Sequence, residues 1–139
     1  MTDIFAVQNP LTLKLALFVG VYLVVAASAL VRPSLAGALL TSIKASPGIM
    51  HATGALAAFV GMGVLVAHFD FTSITASLVT LTAIWWAIEG LGLLALGHLL
   101  PIDSSAAITN YARSNIPAFA IGVFLIIAGL VPSLGVSTP

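Results

Sequence analysis

The stretch SPGIMHATGALAAFVGMGVLVA, residues 46–67, decides the fold. Ser46 before Pro47 reads as a helix start, with the hydroxyl as cap and the proline in the first turn. The run that follows has no Asp, Glu, Lys or Arg. It reaches the ~20 residues a helix needs to cross ~30 Å of hydrocarbon. Gly54 and Gly61 are seven residues apart, hence on one helix face. At an offset of 68, SNIPAFAIGVFLIIAGLVPSLG, residues 114–135, repeats the layout. Ser114 opens it, Pro117 lies in its first turn, and Gly122 and Gly129 fall where Gly54 and Gly61 do. A membrane helix with small residues on one face is therefore expected twice.

Composition agrees with lipid as the solvent. Of 139 residues, 60% are hydrophobic and 6% charged, four basic and four acidic. A water-soluble domain has roughly a quarter charged residues, so this chain has too few to cover a water-facing surface. Zero net charge gives no reason to expect nucleic acid or an acidic partner. Cysteine is absent, which excludes disulfides, thiolate metal sites and cysteine catalysis.

Four spans are expected, at about Leu11–Val31, Ile49–Ala67, Ile74–Leu100 and Ile116–Val131. They must be helices, because four strands cannot close a barrel and lipid tolerates no unpaired backbone. The fold class is all-α, a four-helix membrane bundle. The first span also has features of a signal peptide: Lys14 precedes an apolar run, and Ala27-Ser28-Ala29 resembles a cleavage site. The long stretch ahead of Lys14, which contains Asp3, and the match of this span to the third favour a retained helix.

Between the first two spans lie some 17 residues, Arg32–Gly48, opened by Pro33. Leu35, Leu39, Leu40 and Ile43 fall at helical spacing, with Ser34, Thr41 and Lys44 among them. That predicts a short helix in the membrane interface. Pro101 opens the corresponding link before the fourth span, and Asp103 is the expected cap of a second short helix. The middle link, with Phe69, has about six residues, so spans two and three should form a tight antiparallel pair. Arg32, Lys44 and Arg113 sit in the longer links, against Lys14 on the other side. The positive-inside rule then places the longer links in the cytoplasm and both termini outside.

Over Thr12–Gly63, residues n and n+68 are identical at 11 of 52 positions, Pro33/Pro101, Thr41/Thr109 and Ser46/Ser114 among them. One transmembrane domain, residues 1–139, is expected. It would consist of two parallel two-helix repeats, at about 12–68 and 80–134, around a pseudo-two-fold axis along the membrane normal. Gly54, Gly61, Gly122 and Gly129 are the expected helix-packing positions, since small residues let backbones approach closely in lipid. Convergent use of Pro and Gly at helix ends and contacts is the plainer alternative.

The order span, Pro33, interfacial helix, Ser46-Pro47 and glycine-bearing span, seen in Val19–Val66, resembles small bacterial four-helix membrane proteins of the DoxX-like kind. Glu89-Gly90-Leu91-Gly92 before Leu100-Pro101 also resembles short two-helix bacterial membrane proteins. The likeness spans most of the chain and carries no residue signature. It implies a bacterial inner membrane and a redox or accessory role, and transfers no catalytic residue.

Glu89 is the one acidic residue well inside a span, beside Trp85 and Trp86. An ionisable group near mid-membrane costs at least ~2.5–3.5 kcal/mol on insertion scales. Glu89 should therefore face the bundle, with Thr82, Trp85, Trp86 and Leu93 on its face and Tyr22 or a backbone carbonyl as partner. Functionally it reads as a proton-accepting or ligand-binding carboxyl, structurally as a carboxylic acid tying helices together. The Trp85-Trp86 pair reads first as helix packing. His51 and His98 fall near one face on adjacent helices, where two imidazoles can ligate a haem. More commonly such histidines bond headgroups or water. His68 with Asp70 reads as a polar turn. No other metal ligand, no cofactor and no catalytic residue is indicated, and no Ser or Thr has a credible base.

Three classes of function follow. The first is an accessory or scaffold subunit bound to other membrane proteins or to itself. The alternatives are a proton-linked transporter or channel using Glu89, which would need a dimer for room, and a membrane redox or lipid-handling enzyme.

Overall fold

A computed structural model describes residues 9–99 and 104–131. Leu100, Pro101 and the expected cap Asp103 lie outside them. The described elements are all helical: α1 (Pro10–Leu30), α2 (Pro33–Ala45), α3 (Pro47–Ala67), α4 (Ile74–Leu96) with a 3-10 turn after it (Gly97–Leu99), α5 (Ser105–Ser114) and α6 (Ile116–Leu130).

Side-chain caps fix four of the starts. Asn9 accepts from the Leu11 N–H at 3.0 Å, Ser46 from Ile49 at 3.4 Å, Ser73 from Ala76 at 3.0 Å and Ser104 from Ala107 at 3.1 Å. Proline follows within the first two positions of α1, α2, α3 and α6, where its missing N–H has no intrahelical partner to lose. The cap of α5 is thus Ser104, one residue after the position expected from sequence.

Four stretches are long and apolar enough to cross a membrane: Pro10–Leu30, Pro47–Ala67, Ile74–Leu99 and Ser105–Leu130. The last joins α5 to α6 through Asn115, whose backbone is itself right-handed helical. Apolar composition marks only the α6 part of it, because α5 carries Thr109, Asn110 and Arg113. At 13 residues, or ~20 Å, α2 is too short to span and stays separate. The chain is a small multi-pass membrane protein. Its outward faces suit lipid: Val25, Phe59, Val66 and Trp85 are between 64% and 86% exposed.

Two tight antiparallel pairs make the bundle, α3 on α4 and α1 on α6. Glycines set their spacing. A Cβ on Gly54 would lie 2.9 Å from the Gly90 carbonyl oxygen, and one on Gly61 2.7 Å from that of Ala83. In the other pair, a Cβ on Gly122 would lie 3.0 Å from the Gly20 oxygen and one on Gly129 2.9 Å from the Leu13 oxygen. All four glycines singled out from the sequence therefore sit in seams inside the protomer. Gly63 and Gly92 face open space.

The two pairs meet along α1 and α4. Ala16, Val19 and Leu23 pack with Val64, Val79, Ala83, Trp86 and Leu125 in one buried cluster. Lipid is as apolar as this cluster, so close packing and dispersion hold it more than hydrophobic transfer does. At one end α2 and α5 touch, with Gly37 against Ile108. At the other, the link between α3 and α4 is held by its own polar groups. The Asp70 carboxylate accepts from the Thr72 N–H at 2.8 Å and hydroxyl at 3.0 Å, and Thr80 Oγ1 donates to the Asp70 carbonyl at 2.9 Å. The bonds from Thr72 hold the Asp70 carboxyl below its ordinary range.

Candidate functional site

Glu89 lies seven residues before the end of α4, about 10 Å inside that terminus. It stands four residues past the middle of α4, on the side of α2 and α5. The side chain is half-buried. The Trp85 indole, one turn earlier, lies close enough to act on the Glu89 carboxyl as a donor. Trp85 is 64% exposed, so its ring faces lipid while its N–H turns back to the carboxyl. From α5, Tyr111 lies close enough for the Glu89 charge to act on its phenol. Two local bonds tie down the turn that carries Tyr111: Ser114 Oγ and Asn115 Nδ2 donate to the Tyr111 carbonyl at 2.7 and 2.8 Å.

The face expected to carry Thr82, Trp85, Trp86 and Glu89 together is divided. Adjacent helix residues point about 100° apart, and Trp86 goes the other way, into the core. There it meets Tyr22 edge-to-face, with ring centroids 4.8 Å apart and planes at 66°. Such a pair is worth ~0.5–1.5 kcal/mol beyond its burial. Tyr22 thus packs on Trp86, and the groups that bear on Glu89 are the Trp85 indole and, through its charge, the Tyr111 phenol. Thr82 and Leu93 are half-buried on the same helix.

The Trp85 bond can be tested by substitution. Glu89→Gln keeps an acceptor for the indole and is expected to match the parent in stability. Glu89→Leu leaves the donor unpaired in an apolar setting and is expected to cost ~1–3 kcal/mol in detergent unfolding. Two equally stable variants would show that the bond contributes nothing.

A second polar site lies at the opposite end and replaces the polar-turn reading of His68. His68 ends α3 and is only 6% exposed. Its Nε2 lies 3.0 Å from Thr12 Oγ1 on α1, which is also buried. Its Nδ1 is buried with no hydrogen-bond partner among the described residues. The side chain therefore leaves the turn and ties one helix pair to the other. Thr75 and Thr80 of α4 are fully buried.

His51 and His98 do come together. They line a cavity of about 270 Å³ with Lys44, over an apolar wall of Met50, Leu93 and Leu94. His51 Nδ1 lies 3.0 Å from the Pro47 carbonyl oxygen. That contact requires the proton on Nδ1, which leaves Nε2 for another partner. Among the described residues, no three His, Asp or Glu side chains are grouped as a metal site would need.

Compared with protein-family models, curated proteins and solved structures, the chain has no significant match.

Proposed function

We propose that this protein is an accessory or scaffold subunit of the membrane that associates with another membrane protein or with a second copy of itself. The observation that carries this reading is the apolar centre of the bundle. Val19, Val79, Ala83 and Leu125, all at 0% exposure, separate the Glu89–Tyr111 end from the Thr12–His68 end. Proton and ion carriers line their paths with polar or ionisable groups, and here apolar side chains fill the space between the two polar sites. The seam glycines are used within the protomer. Association therefore falls to outer faces such as that of α3, where Ala52, Ala55 and Gly63 are exposed. In proteoliposomes under a pH gradient, proton flux is expected to equal that of empty vesicles. A flux that disappears in folded Glu89→Gln would replace this reading with the transporter one, in which Glu89 and Tyr111 begin a polar path.

The seams also support a duplicated two-helix unit. Gly54 and Gly61 relate to Gly122 and Gly129 by 68 positions, while their partners Gly20 and Leu13 relate to Gly90 and Ala83 by 70. On this reading the first spans of the two copies have slipped by two residues and kept the same contacts. The DoxX-like order of elements belongs to the same proposal, as does a bacterial inner membrane with α2 and α5 at its cytoplasmic face. Cysteines at Ser42 and Ser105 are then expected to be shielded from an impermeant thiol reagent in intact cells, and one at Thr72 to label. The opposite pattern would invert the orientation.

A further inference from the structure

We propose that the cavity between the start of α3 and the end of α4 holds the phosphate of an anionic phospholipid. Three side chains that carry or can gain positive charge, Lys44, His51 and His98, line it, and among the described residues no acidic one does. In a chain with four basic residues and three histidines, that is a strong concentration of cationic chemistry in one place. They arrive from three elements: the last turn of α2, the second turn of α3 and the 3-10 turn after α4. The bond from His51 Nδ1 to the Pro47 carbonyl fixes that ring and presents Nε2 outward. Protonated, Nε2 becomes a donor to a phosphate oxygen.

The remaining wall selects the kind of phosphate. Met50, Leu93 and Leu94 give a free inorganic ion nothing to bind, but they match the glycerol and first methylenes of a lipid. The volume, about 270 Å³, lies just under the ~300–1,000 Å³ of small-molecule sites. That suits a headgroup and is too small for a haem between His51 and His98. The cavity also opens at the ends of two membrane-spanning helices, the depth at which lipid phosphates lie. Gly97 packs the turn bearing His98 directly against the Met50 side chain of α3.

The test uses the full chain purified in mild detergent, with phosphatidylglycerol and phosphatidylcholine offered at equal concentration and retention read by native mass spectrometry. The parent is expected to favour phosphatidylglycerol by about fivefold or more, the scale of one basic residue near anionic lipid. Lys44→Gln/His51→Gln/His98→Gln is expected to lose the preference. Arg32→Gln, exposed and outside the cavity, is expected to keep it. Equal retention of both lipids by the parent, a preference surviving in the triple variant, or an equal loss in Arg32→Gln would each overturn the proposal. Should the triple variant fail to fold, the parent still decides. Millimolar inorganic phosphate is expected to leave the unfolding midpoint unchanged while phosphatidylglycerol raises it. Equal protection by both would make this a free-phosphate site and overturn the lipid assignment.

Discussion

Gly61→Leu is expected to destabilise the protein by about 1–3 kcal/mol or more, while Gly63→Leu, two residues on, leaves it unchanged. Nothing about glycine itself separates these positions, since both lie within α3. The surroundings do. A Cβ at Gly61 would sit 2.5 Å from the Ala87 nitrogen and 2.7 Å from the Ala83 oxygen. Those are backbone atoms of α4 and cannot rotate aside, so the helices must separate and give up contacts along the whole seam. At Gly63 a new side chain meets nothing within 4 Å and enters lipid. Gly129→Leu should resemble Gly61→Leu, because its Cβ would lie 2.9 Å from the Leu13 oxygen. Unfolding followed by circular dichroism in detergent and in bicelles measures the contrast. Equal stability of Gly61→Leu and Gly63→Leu would mean that α3 and α4 are not in close contact.

The second large effect is expected at Thr12. Thr12→Val changes shape little but removes the hydroxyl 3.0 Å from His68 Nε2. The imidazole, with its Nδ1 already unpartnered among the described residues, would then have both nitrogens buried and unsatisfied. The expected cost is ~1–3 kcal/mol. Thr12→Ser, which keeps the hydroxyl, should recover most of it. The double variant Thr12→Val/His68→Phe, which removes the stranded polar group, should be more stable than Thr12→Val alone. Full stability in Thr12→Val would show that the hydroxyl does not hold the imidazole.

These two sites differ in how far the sequence reveals them. The seam glycines are legible because close packing in lipid demands a small residue, and Gly54/Gly61 and Gly122/Gly129 stand out at a helical interval. Gly20 and Gly90 occupy the same seams without a repeating partner at offset 68, and so pass unnoticed. The surroundings of Glu89 are legible only in part. In water, a helix shows its buried side by contrast with a polar one. In lipid both sides are apolar, so nothing in the chain says that Trp86 turns inward and Trp85 outward. Tyr111 was visible in principle: Ile108, Tyr111, Ala112 and Asn115 recur at the spacing of one helix face. Their significance depends on α5 running straight into α6, which the polar residues of α5 conceal. His68 was hidden for another reason. It stands at a helix end beside Asp70, where polar residues usually meet water, and its partner is 56 residues away.

The pairing of α1 with α6 sets an order on how the protein is made. During synthesis α1 enters the membrane before the other five described helices, yet the helix that fills its glycine seam is the last of the six to emerge. α2 to α5 must be inserted while α1 waits, with only α2 available to touch it at first. A chain halted after α3 would hold two half-seams, Gly20 on α1 and Gly54 with Gly61 on α3, both lacking the helices that match them. Such a fragment offers open small-residue grooves to any neighbouring helix. The closing step of this bundle is the arrival of α6. A cut in the α3–α4 link would divide it into two pieces that must be brought together for the α3–α4 and α1–α6 seams to form.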